Sequence, residues 1–169
     1  FMVVLLTLLC GCTLTAPGYT PDYSVLDSLK RQKLAKIAVE PVLPNDADAA
    51  VNKISLRGIN SLVSPSGSFA KYLEDAIISD LTDVNLLDQK SSLRLTVMLL
   101  KNDLDLSNFS YGFGNIQAQF GINRDGVAVF NKKIAEQTRF ESSFVGAVAI
   151  PKAQSEYPNL VRALLKALY

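Results

Sequence analysis

The sequence predicts an α+β fold: a two-layer sandwich in which two amphipathic helices cover one face of a mostly antiparallel four-stranded sheet, in the order β-α-β-β-β-α. Three observations predict it. Apolar residues recur at spacings of three and four through 69–84 and again through 157–169. They alternate through 92–100 and 115–123. Between the last two strands stands Asp125-Gly126, a hairpin turn in which glycine accepts positive φ without steric cost.

Each element has its own warrant. Lys36 to Val42 reads as the first strand, with Pro41 ending its pairing because proline has no amide to donate. Residues 45–50 are polar and loop-like, and Lys53 to Arg57 suits a short edge strand. Ser64-Pro65-Ser66-Gly67-Ser68 supplies a turn and a helix N-cap. The helix from Phe69 to about Val84 carries Phe69, Leu73, Ala76, Ile77, Leu81 and Val84 on one face, and Asn85 suits its C-terminal stop. Leu93, Leu95, Val97 and Leu99 share one face of the next strand, and a change of phase at Leu99-Leu100 predicts a bulge. Ile116, Ala118, Phe120 and Ile122 form the third strand, and Val127 to Phe140 returns as the fourth. The closing helix, from about Tyr157, has Leu160, Val161, Leu164 and Leu168 on one face and Pro158 in its first turn. The chain stops inside this helix, which reads as a fragment of a longer protein.

The first twelve residues carry a different signal. Met2 to Leu9 is an apolar run without charge. It is too short to cross a bilayer, which takes about 20 apolar residues, and it suits the core of a signal peptide. The chain begins at Phe1 ahead of a methionine, so the basic segment of such a signal is expected to precede it. The run ends in Leu9-Cys10-Gly11-Cys12, which resembles the bacterial lipobox, with Gly11 at the cut and Cys12 as the acceptor of lipid. The departure from that pattern is Cys10, where a small or β-branched residue is more usual. A small residue lets the peptidase approach, and the thiol is the nucleophile that carries the diacylglyceryl group. By the same resemblance, Thr13 after the cysteine favours transport to the outer membrane.

The chain therefore divides into three. Residues 1–11 read as an N-terminally incomplete lipoprotein signal, 12–32 as a lipidated cysteine and flexible tether, and 33–169 as one periplasm-facing domain. The tether reading follows from Pro and Gly density around Ala16-Pro17-Gly18 and Thr20-Pro21-Asp22.

Composition narrows the function. With 169 residues, 49% apolar and 20% charged, the chain builds one real core. A formal net charge of +1 supplies no long-range field, so nucleic acid is not expected as a partner. Histidine is absent, which removes His-based triads and nearly all His-bearing metal sites. No cofactor or metal is expected. Glu74, Asp75, Asp80 and Asp83 lack an accompanying base and read as a solvated helix face. A hydrolase built on a carboxylate pair would need two of them to converge in one cleft. Gly112-x-Gly114 lacks the strand-to-helix context of a phosphate loop.

Two segments are candidates for partner contact. Ser107 to Asn115 interleaves Phe109, Tyr111 and Phe113 with small residues, and these rings either meet a partner or lipid headgroups or close one end of the core. Phe144 to Pro151 has no charge, and Phe144, Val145, Val148 and Ile150 either form an exposed docking surface or pack under the last helix.

The stretch Glu141-Ser142-Ser143-Phe144-Val145-Gly146-Ala147-Val148-Ala149-Ile150-Pro151, with Tyr157-Pro158 after it, resembles small Gram-negative envelope lipoproteins, as does Ser66-Gly67-Ser68-Phe69-Ala70-Lys71-Tyr72-Leu73-Glu74. The element order is similar to that of ABC-type transport auxiliary lipoproteins and lipopolysaccharide-assembly lipoproteins over most of 33–169. The resemblance is one of topology, so it carries no functional residues across. The lipid anchor, the lack of a catalytic constellation in the sequence and the two candidate contact segments lead to the expectation of a membrane-anchored, non-catalytic lipoprotein that assists an envelope transport or assembly complex through protein contacts. The alternative is a periplasmic binding module for a lipid or small apolar ligand.

Overall fold

A computed structural model describes residues 12–169; the expected signal segment, 1–11, lies outside the described residues. Strand β1 (Thr13–Thr15) is followed by helix α1 (Tyr23–Arg31), β2 (Ala38–Val39), a 3-10 turn at Ala50–Asn52, β3 (Ile54–Ser55), β4 (Ser61–Val63) and helix α2 (Phe69–Asp83). Three long strands come next, β5 (Leu93–Asp105), β6 (Tyr111–Arg124) and β7 (Val127–Glu141), and helix α3 (Gly146–Leu168) closes the chain.

The stretch read as a tether is folded. Asp22 caps α1, its carboxylate accepting from the Ser24 amide at 3.0 Å. One turn on, Leu26 and Leu29 are buried against Val84. Pro and Gly in 16–21 preclude helix there, but they do not stop short segments on either side from packing. The cap and the Leu26/Leu29 spacing were the legible signal.

The expectation of one mostly antiparallel sheet is corrected to two mixed sheets. The larger has the order β2-β5-β6-β7 and the smaller β1-β4-β3. β5, β6 and β7 are joined by hairpins and pair antiparallel, as the alternation implies. β2 reaches β5 only after the chain has passed through β3, β4 and α2. That crossover brings it back in the same direction, so the pair is parallel. β1 is likewise parallel to β4. Strands of two or three residues are too short to show alternation, which is why β1 and β4 leave no sequence signature.

Several local expectations hold. Ser68 caps α2, its Oγ accepting from the Lys71 amide at 3.1 Å. The register of β5 on β6 shifts between Leu99 and Lys101, leaving Leu100 as the bulge. Asp125 and Gly126 both take positive φ, 50° and 83°, as a tight hairpin turn requires.

The last helix is longer than its apolar period suggested. It starts at Gly146, so Pro158 lies in its interior and Pro151 is a second interior proline. Each removes one backbone hydrogen bond. Ala149, Ala153, Tyr157, Leu160, Val161 and Leu164 are fully buried along it, and that packing outweighs the lost bonds.

One core joins the helices to the sheet. Phe69, Tyr72 and Tyr157 meet at centroid distances of 4.7 and 5.2 Å. Burial holds the Tyr157 phenol well above its ordinary pKa, and its hydroxyl donates to Asn102 Oδ1 at 3.2 Å. Gly112 and Gly114 face this core. A Cβ on Gly112 would stand 2.3 Å from the Phe140 ring, and one on Gly114 would stand 2.8 Å from Thr138 Oγ1 and 3.0 Å from Leu160. These glycines make room for a ring and a helix.

Candidate functional site

One end of the molecule gathers the candidate contact residues. The Ser61 amide donates to the Cys12 carbonyl at 3.2 Å, so Cys12 stands beside the turn that joins β3 to β4. That turn, Arg57-Gly58-Ile59-Asn60, is closed by Leu56 N donating to Asn60 O at 2.8 Å, and Gly58 supplies a φ of 72°. Arg57 reaches out of it to the ends of β5 and β7. Its guanidinium donates to Leu106 O at 2.7 Å, Ser143 O at 2.7 Å and Phe144 O at 3.0 Å, and its carbon lies 5.4 Å from the Phe109 ring centre. These bonds fix the loop after β5 and the approach to α3 in one arrangement.

The two loops hold their own shape as well. The Asp105 carboxylate accepts from the Ser107 amide at 2.8 Å, and this bond, with the Ser107 hydroxyl, holds the carboxyl below its ordinary pKa. Asn108 Oδ1 accepts from the amides of Ser110 and Tyr111, and Ser143 Oγ from that of Val145. The consequence is two presented rings. Phe109 and Phe144 pack edge to face, 4.9 Å between centres, yet remain 56% and 73% exposed. Val145, Val148 and Ile59 are exposed beside them, and Cys12 is exposed too. A shallow cleft of about 410 Å³ opens alongside, between Ser55, Arg57, Leu104 and Phe109.

The predicted contact residues thus separate. Phe109 and Phe144 come together, with Val145 and Val148 continuing the apolar surface. Tyr111 is exposed but lies under the Arg139 guanidinium, 3.5 Å from its ring centre. Phe113 is half-buried. Ile150 packs against the core and does not join the surface. Sequence reasoning missed Arg57 and Ile59; the glycine between them was the available sign of a turn.

A buried carboxylate was also missed. The reading of Asp80 as part of a solvated helix face is corrected, since it is only 2% exposed. It accepts hydrogen bonds from Tyr19 at 2.9 Å and Tyr169 at 3.2 Å. Burial raises its pKa to about 6, against the opposing pull of those two bonds. Nearby, about 280 Å³ of mostly apolar groove opens between Leu29, Leu34, Ile37, Leu81, Leu95 and Tyr169. Among the described residues no three His, Cys, Asp or Glu side chains converge as metal ligands. No described helix is long and apolar enough to cross a membrane.

Fold and surface define a helix-covered α+β domain with an exposed apolar end. No protein-family model and no curated protein matches the chain. A Xanthomonas campestris protein of the DUF330 family model is similar in structure, with a TM-score of 0.60 at 12% identity over 92% of this chain and 93% of that one. A candidate lipoprotein from Caulobacter crescentus CB15 overlays with a TM-score of 0.46 at 11% identity, covering 86% of this chain and 90% of that chain. A minor lipoprotein from Acinetobacter baumannii gives 0.47 at 11% identity, covering 79% and 86%. The first likeness shows a shared fold.

Proposed function

We propose that this chain is a lipoprotein, anchored through lipid on Cys12 to the periplasmic face of the outer membrane. It works there without catalysis, assisting an envelope transport or assembly complex through protein contacts. The observation that carries the reading is Cys12 itself. It follows the Leu9-Cys10-Gly11 junction, it is exposed, and it immediately precedes strand β1. The outer edge of β7, 15 residues long and without a strand partner among the described residues, supplies backbone donors and acceptors for a protein contact. The test is intact mass and membrane fractionation of the wild type beside Cys12→Ser. The variant is expected to lose the lipid mass and leave the membrane fraction, and an unlipidated wild type overturns the anchor. A photocrosslinker at Val129 is expected to capture one discrete envelope protein, and recovery of none overturns the contact.

A second reading is favoured by the apolar groove beside Tyr169. Its volume of about 280 Å³ is near the lower end of ligand pockets, which run from roughly 300 Å³ upward, and suits a single acyl chain. Mass spectrometry of the Cys12→Ser protein extracted without denaturation tests it, since a fatty-acyl mass that is lost on denaturation supports this reading and a bare polypeptide removes it.

A further inference from the structure

Resting on lipid attachment at Cys12, we infer that the surface formed by Ile59, Phe109, Phe144, Val145 and Val148 is a membrane seat, buried at the headgroup–acyl boundary of the bilayer that holds the anchor. The argument is one of slack. A flexible tether would let any face of the domain meet the membrane. Here the Cys12 carbonyl is already bonded to the Ser61 amide, and Thr13, Leu14 and Thr15 pair with Ser61, Leu62 and Val63. Acyl chains on the Cys12 thiol therefore bring the bilayer surface against the neighbouring Arg57–Asn60 turn. The loops after β5 and β7 are fastened to that same turn by Arg57.

What the bilayer meets at this end is apolar. Ile59, Phe109, Phe144, Val145 and Val148 are each more than half exposed in water. Rings and aliphatic side chains of this kind gain by entering the boundary region, and an exposed patch of them marks an interaction surface. The charges nearby are mixed, Arg57 and Arg139 against Asp105 and Glu141. Attraction to anionic lipid is therefore not the driving force, and the seating is insensitive to salt. A protein partner is excluded from this end by the bilayer itself, which leaves the β7 edge for that contact.

The chain has no tryptophan, so a single indole reports its own depth. Full-length lipidated protein carrying Phe144→Trp, and separately Val129→Trp at the opposite end of β7, is reconstituted into phosphatidylethanolamine–phosphatidylglycerol vesicles with brominated acyl chains. The indole of the Phe144→Trp protein is expected to be quenched at least about twofold, with no change between low and high salt, and that of the Val129→Trp protein to be unaffected. Equal, unquenched emission from both, with lipid mass present on Cys12, overturns the seat and leaves the anchor standing. Absence of lipid on Cys12 overturns both.

Discussion

Arg57 and Phe144 are joined by the guanidinium of the first and the carbonyl of the second, at 3.0 Å, and that bond is one of three by which a short turn organises the exposed end of the molecule. Arg57→Ala removes all three. Charge-assisted bonds of this kind contribute about 1.5–3 kcal/mol each when buried and less when half-exposed, so a total loss of about 1–2 kcal/mol is expected in urea unfolding. Hydrogen exchange at 143–145 is expected to accelerate more than the global change requires, because the loops lose their common fastening.

Phe109→Ser and Phe144→Ser are expected to behave in the opposite way. Both rings are largely exposed, so stability changes by no more than about 0.5 kcal/mol in the same measurement. A larger loss would mean that the rings belong to the core.

Gly112→Ala tests the close approach of Phe140. The added Cβ falls 2.3 Å from that ring, which must move, with Leu106 also only 3.0 Å away. A cost of about 1–3 kcal/mol is expected from overpacking, read as a lowered thermal midpoint. Gly126→Ala meets no atom but sits at a φ of 83°, so its loss is one of backbone strain, expected near 1 kcal/mol.

Asp80 gives stability a pH dependence of definite sign. Its pKa is raised in the folded state, from 3.8 to about 6, so the fold binds this proton more tightly than the unfolded chain does. The contribution is fully present below about pH 4 and is lost as pH rises through about 6. Subtracting the urea midpoint of Asp80→Asn from that of the wild type at each pH isolates the effect. The difference is expected to fall between pH 4 and 7, and a difference that rises refutes the assignment.

Tyr157→Phe leaves Asn102 Oδ1 without its phenol in a buried setting, at an expected cost of about 1–2 kcal/mol in chemical denaturation. The Asn102 side chain keeps its bond to Val51 O, so the fold persists.

Legibility in the sequence followed the range of the interactions. α2, the three long strands and the Asp125-Gly126 turn are set by neighbours a few residues away, and period and turn chemistry reveal them. Asp80 reads as solvent-facing because its partners, Tyr19 and Tyr169, come from the two ends of the described chain. Phe109 and Phe144 were recognised as candidates, but their meeting depends on Arg57, which belongs to neither segment. The parallel pairing of β2 escaped for a topological reason: direction is decided by the route of the connection, and a two-residue strand does not record it.

The pairing of β1 has a mechanical side. On the proposed anchor, the segment from Cys12, held to β4, makes the protein a pedestal, with β5 rising from the Cys12 end by roughly 40 Å at about 3.3 Å per residue. Unzipped as far as the α1 cap at Asp22, the same segment becomes a leash of up to roughly 35 Å at about 3.5 Å per residue. Three residue pairs between β1 and β4, the buried Ala16 and the Tyr19–Asp80 bond all stand between the fixed height and the doubled reach, so the leash is released only when every one of them yields.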